Sequence, residues 1–210
     1  MNPLVTKEEE KKKPPGMRSG NGRLAVFGSF FYILFEMGNV GAKSFTGLAA
    51  EMKGSESIMV KKKHGSCNTP PMSNLRWRCD HKTADKICCF NRHYAEHSGY
   101  WLTTSFLQEE SAASGEITFY DSVSGKPLFI APRGRSWDAF VKESKSHGWP
   151  SFRDSEVIKK NVRILSDGEA VSVDGTHLGH NLPDRSGNRY CINIVSVAGV
   201  KDGVRKAGDL

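Results

Sequence analysis

Between Glu116 and Tyr120 the apolar Ile117 and Phe119 alternate with polar neighbours, the period-two pattern of a half-buried strand. Ser124-Gly125-Lys126-Pro127 then reads as a turn, and Leu128 to Ile130 continues extended. Asn161 to Leu165, Ser166-Asp167-Gly168 and Ala170 to Val173 together predict a β-hairpin, because Asp-Gly tolerates the positive φ angles that such turns demand. A second Asp-Gly, Asp174-Gly175, ends that strand. Tyr190 to Val197 predicts the last strong strand, entered from the loop Pro183 to Asn188. From Leu75 onward the aromatic content rises, with Trp77, Phe90, Tyr94, Tyr100, Trp101 and Phe106 able to wrap the edge of a core. The folded region is therefore expected over 75–200, followed by a tail over 201–210.

The amino-terminal third follows different rules. Residues 1–16 carry the charged run Glu8 to Lys13 and then Pro14-Pro15-Gly16, with nothing to bury, and are expected as a disordered extension. Arg18 and Arg23 precede the apolar run Leu24 to Phe35, and Val40-Gly41-Ala42 offers small residues where a signal peptidase would cut. Residues 17–42 thus read as a signal-type leader to the secretory pathway or an organelle. The competing reading is a buried helix in a cytoplasmic protein. At 12 residues the run is too short to span a bilayer, so no permanent membrane insertion is expected. Residues 43–74, rich in Lys, Ser, Gly and Pro, read as a linker or second targeting segment.

Composition changes this picture little: 38% hydrophobic and 25% charged residues fit a globular domain, and 21 glycines favour turns and short strands. The net charge of +7 matters more, since it raises nucleic acid as a partner. Residues 1–63 hold 11 Lys+Arg against 6 Asp+Glu, and the remainder is nearly balanced, without a basic stripe of interleaved aromatics. No nucleic-acid partner is expected.

The five cysteines, Cys67, Cys79, Cys88, Cys89 and Cys191, contain no C-x-x-C pair, which removes zinc-ribbon and thioredoxin-type motifs. In the last strand Arg189, Cys191 and Asn193 share one face. Arg189 and Cys191 have α-carbons roughly 6.6 Å apart at about 3.3 Å per residue, close enough for a guanidinium to favour the thiolate. The alternative is an inert buried cysteine. His177 and His180 flank Gly179, where the backbone can bend to turn both imidazoles into one pocket for acid–base work. A structural zinc pair competes, but two histidines and one cysteine lack a fourth ligand. Gly148-Trp149-Pro150-Ser151-Phe152 offers either an apolar wall for a small ligand or ordinary core packing.

Gly148 to Phe152, Thr176-His177-Leu178-Gly179-His180 and Gly187-Asn188-Arg189-Tyr190-Cys191-Ile192-Asn193 occur in that order, and the chain from Gly115 to Gly199 resembles the R-type methionine sulfoxide reductases, MsrB. A weaker start lies at Ser98-Gly99-Tyr100-Trp101. The resemblance implies a mainly β fold of two small antiparallel sheets, a β-tent, with short flanking helices. It implies reduction of methionine-R-sulfoxide, free or in oxidised proteins, as repair under oxidative stress. No cofactor and no metal are implied, and the reductant would be a thiol of the thioredoxin kind. Cys191 would attack the sulfoxide sulfur and become a sulfenic acid. Trp149 would pack on the substrate methyl group, with Phe152 and Asp184 also on the substrate side. His177 and His180 would orient and protonate the oxygen, Asn193 would assist, and Arg189 would lower the thiol pKa.

The resemblance has three departures. Where many members hold a structural zinc with two C-x-x-C pairs, the corresponding positions are Asp121 with Ser124 and Val171 with Asp174, implying a metal-free form. His147 stands where some members carry the resolving cysteine, so either Cys88 or Cys89 resolves the sulfenic acid or an external thiol attacks it. The segment Cys88 to Trp101 is not explained by the resemblance. Cys79, Cys88, His93 and His97 have a spacing that would suit zinc if the histidines sat one helical turn apart, and the alternative function is a non-catalytic β-tent module holding zinc there.

Overall fold

In chain order the strands are β1 (Ile117–Tyr120), β2 (Pro127–Ala131), β3 (Ser151–Phe152), β4 (Val162–Ile164), β5 (Glu169–Ser172), β6 (His177–Asn181) and β7 (Tyr190–Ile192). The computed structural model describes residues 47–111 and 115–201. The expected amino-terminal extension, the leader and all but the first residue of the tail lie outside the described residues. β1 and β2 form one antiparallel pair, and the other five strands form an antiparallel sheet in the order β3-β7-β6-β5-β4. Short helices flank them: α1 (His81–Asp85), α2 (Tyr100–Thr103), α3 (Phe106–Glu110) and α4 (Trp137–His147). The protein is mainly β, with two small antiparallel sheets, as the resemblance implies.

The expected hairpin is present as β4 and β5, with Leu165 N–H bonded to the Glu169 carbonyl at 2.9 Å across the Asp167-Gly168 turn. The last strand is shorter than expected. Pairing stops at Ile192, and Ile194–Ser196 winds into one 3₁₀ turn. The N–H groups of Ile194 and Val195 bond the Glu96 carboxyl, not a neighbouring strand.

An aromatic cluster joins the two sheets. Phe152 stacks on Phe129 of β2 at 4.3 Å and meets Phe119 of β1 edge-on at 4.9 Å. Trp77, Phe106 and Phe140 extend the same fully or nearly fully buried core. Burying a ring the size of Phe152 is worth about 1.5–3 kcal/mol. α4 lies against β3, capped at its start by the Ser136 hydroxyl on Ala139 N–H and ended by Gly148 at φ 87°. A Cβ at Gly148 would collide with the Ser98 hydroxyl, so this end of the helix is closely covered by the 98–99 loop.

The described part of the segment expected as a linker is packed. Two 3₁₀ turns, Ala50–Met52 and Glu56–Met59, bury Met52 and Met59, and Cys67 is buried in a disulfide with Cys89. Residues from 47 onward thus share the core of the 75–200 region. Among the described residues no helix is long and apolar enough to cross a membrane.

Candidate active site

Cys191 stands on β7 between two partners. Ser151 of β3 faces it on one side and His180 of β6 on the other, both in register. The half-buried thiol opens into a cavity of about 250 Å³, mostly apolar, shared with Ala95, Trp149, Gly179, His180, Leu182 and Asn193. Of the residues expected to act together, Cys191, His180, Asn193 and Trp149 are brought to this cavity.

Burial raises the Cys191 pKa. Arg189, by charge and by hydrogen bond, and Ser151, by hydrogen bond, pull in the opposite direction without overcoming it. The expected effect of Arg189 is therefore present in sign, but a low-pKa thiolate in the free protein is not. Arg189 is itself almost buried and lies 3.3 Å from Asp184.

The two histidines share a neighbourhood because β6 carries a bulge. Ala170 pairs with Gly179 and Val171 with His177, so Leu178 is an extra residue. Without it, residues three apart would face opposite sides of the sheet. With it the rings sit 5.7 Å apart, edge to face. Gly179 has φ 152°, and a Cβ there would collide with the Cys191 carbonyl. Burial, and then the nearby His177, lower the His180 pKa, leaving its ring neutral near pH 7. His177 is buried and bonds through Nδ1 to Glu169 Oε1 at 2.7 Å, and Arg92 in turn grips the same carboxylate at 2.5 and 2.9 Å. Burial alone would raise the Glu169 pKa, but the bonds from His177 and Arg92 hold it below the ordinary value.

Four expected site residues are placed elsewhere. Phe152 points into the core, because its pairing with Tyr190 turns it away from the face that carries Cys191. Asp184 is exposed and ion-paired with Arg153 at 2.8 Å, which holds its carboxyl at about 2. Cys89 is in the disulfide with Cys67. Cys88 is fully buried, its thiol on Ser196 Oγ and Val195 O, with burial pushing its pKa far up. Asn193 lines the cavity, yet its amide is occupied: Oδ1 accepts from Glu96 N–H at 3.2 Å, and Nδ2 donates to Leu178 O at 3.1 Å.

Ser151, Glu169 and Glu96 were not assigned roles from the sequence. Ser151 sits inside the Gly148–Phe152 motif, and the β3–β7 register reveals its place. The unexplained segment ahead of Trp101 delivers Ala95 to the cavity and buries the adjacent Glu96, whose carbonyl accepts from Trp149 Nε1–H at 3.1 Å.

Metal fits poorly at both places considered. At the positions matching the family's zinc ligands, Asp121 is buried and accepts from Val123 N–H, Ser124 Oγ and Thr176 Oγ1, whereas Val171 has no ligand atom and Asp174 pairs with Lys126. Cys79, Cys88, His93 and His97 do not converge; among the described residues the ligand-bearing groups that do are His64, Asp85 and Cys89, and Glu143, His147 and Asp184. Cys89 is committed to its disulfide, and Glu143 and Asp184 to Arg153.

A half-buried thiol in an apolar cleft, with His180 in register opposite it on the antiparallel sheet, leaves room for a small substrate beside Cys191. No protein-family model matches the chain. A peptide methionine sulfoxide reductase MsrB from Methanosarcina mazei is 31% identical over 104 residues, which cover 44% of this chain and 73% of that protein. The chain belongs to the MsrB family.

Proposed function

We propose that the protein reduces methionine-R-sulfoxide to methionine with Cys191 as nucleophile. The observation that carries this reading is the placement of a half-buried thiol in an apolar cavity walled by Trp149, with His180 directly opposite on the neighbouring strand. The name of the M. mazei relative supports the same chemistry.

In this scheme the Trp149 ring receives the substrate methyl group, and the sulfoxide oxygen turns toward His180. The Cys191 sulfur attacks the substrate sulfur and forms an S–S bond while the thiol's proton passes to the sulfoxide oxygen; that hydroxyl then leaves the substrate sulfur and bonds to the Cys191 sulfur as the S–S bond breaks, giving Cys191 S–OH and the free thioether of methionine. Cysteine is oxidised by two electrons and the substrate sulfur reduced by two. His180 shuttles that proton to the oxygen as negative charge builds there. His177 acts at one remove, held by Glu169 and Arg92, and fixes the position of the His180 ring. Arg189 favours the thiolate once substrate excludes water. A thiol then attacks the sulfenic acid, releasing water and forming a disulfide that a further thiol reduces. With Cys67 joined to Cys89, and Cys79 and Cys88 buried, the attacking thiol is external, in the manner of a thioredoxin-type donor.

The test is incubation of the protein with dithiothreitol and each pure sulfoxide epimer. Methionine forming from the R epimer alone is expected. Equal turnover of both epimers, or of neither, contradicts the assignment.

A further inference from the structure

From Arg92 to Ser98 a single residue, Glu96, is buried. Every neighbour in this stretch is exposed or half-buried, so one side chain anchors an otherwise superficial strap. Its carboxyl accepts from Ile194 N–H at 2.7 Å and Val195 N–H at 3.2 Å, on the turn that follows the nucleophile's strand. Its backbone is used as fully: N–H donates to Asn193 Oδ1, and C=O accepts from the Trp149 indole. One residue thereby ties the turn after β7, the cavity-lining Asn193 and the aromatic wall together. A leucine would fill similar space without the cost of burying a carboxyl, but only an acceptor satisfies the two backbone N–H groups.

We propose that Glu96 is a positioning residue for sulfoxide binding: its side chain pins the Ala95–Glu96 strap onto the turn after β7 and so holds the Trp149 ring in the wall of the Cys191 cavity. This rests on the reductase reading above and extends it to a residue that does not touch the reacting atoms. Free of its anchor, the strap lifts, the indole N–H loses its acceptor, and the ring that receives the methyl group is no longer held. Binding suffers more than the chemical step, because Cys191, His180 and Ser151 stay on the sheet.

The experiment uses the full chain as wild type, Glu96→Leu and Glu96→Gln. Steady-state kinetics on methionine-R-sulfoxide with dithiothreitol are combined with ¹H–¹⁵N spectra in which the Trp149 indole signal is identified by its loss in Trp149→Phe. Glu96→Leu should raise KM at least about tenfold while kcat stays within about threefold, and should move the indole signal. Glu96→Gln keeps one acceptor oxygen for the two N–H groups of Ile194 and Val195, and should fall between the two in both readouts. An unchanged KM or an unmoved indole signal in folded Glu96→Leu overturns the inference. Should that variant not fold, Glu96→Gln decides: faster amide exchange at Ile194 or Val195 with a raised KM supports the pin, and an unchanged KM or unchanged exchange at both overturns it. Should the wild type reduce neither epimer, the reductase reading fails separately, and the indole signal alone decides whether Glu96 holds Trp149.

Discussion

His180 and Cys191 are direct partners across the antiparallel β6–β7 pair, so the distance between imidazole and thiol is set by backbone hydrogen bonding and not by loop conformation. His180→Asn should therefore leave the fold intact and lower kcat about 10²–10⁴-fold, the range for a lost proton-transfer group. Alkylation of Cys191 by iodoacetamide should persist in the variant. A loss of less than threefold would remove His180 from the proton path.

Glu96 also makes a stability prediction of definite sign. Burial pushes its carboxyl up to about 8 from 4.5, against the pull of the Ile194 and Val195 N–H groups. The folded state thus holds a proton that the unfolded chain releases near 4.5. The associated stability is complete below that pH and is lost as pH rises toward about 8, at about 1.4 kcal/mol per unit. Urea unfolding at pH 5 and pH 7.5 should show wild type losing stability relative to Glu96→Gln over this interval. A constant difference between the two proteins would contradict a protonated Glu96.

The Cys67–Cys89 disulfide closes a loop of sequence separation 22 and joins the 47–74 segment to the π-helical turn Lys86–Phe90. Loop-closure entropy for this length predicts that Cys67→Ala combined with Cys89→Ala costs about 3 kcal/mol. The midpoint of urea unfolding measures it. No loss of stability would place the cross-link outside the cooperative unit.

Asp121 accepts from Ser124 Oγ, Thr176 Oγ1 and the Val123 N–H at a position that the sequence resemblance matches to a zinc ligand of other members. Asp121→Ala strands the buried Thr176 hydroxyl and the half-buried Val123 N–H and Ser124 hydroxyl, and should cost about 1–3 kcal/mol. A chelator should leave the wild-type melting temperature unchanged. A fall in that temperature with chelator would instead reveal a bound metal.

Much of the sheet was legible because its turns are chemically marked. Asp167-Gly168 and Asp174-Gly175 delimit β5, and the spacing of Arg189, Cys191 and Asn193 places the thiol on a defined face. The role of Phe152 was not legible. Trp149 and Phe152 are both large rings, and only the pairing of β3 with β7 decides which faces the cavity. Residues 47–74 concealed their anchors, since single 3₁₀ turns have no helical or strand period to betray Met52 and Met59. Glu96 was invisible for a further reason: its carboxyl partners lie 98 and 99 residues away, and nothing local distinguishes it from a solvated acid.

Gly179 has a consequence for how this cleft can diversify. Because a single added carbon there would strike the main chain of the nucleophile itself, this part of the lining is backbone and offers no side chain to vary. On the reductase reading, selectivity between a free amino acid and a methionine within a polypeptide would be tuned through the side chains of Ala95, Trp149 and Leu182. These three come from separate stretches of chain, so the entrance can drift under selection while the chemistry behind it stays constant.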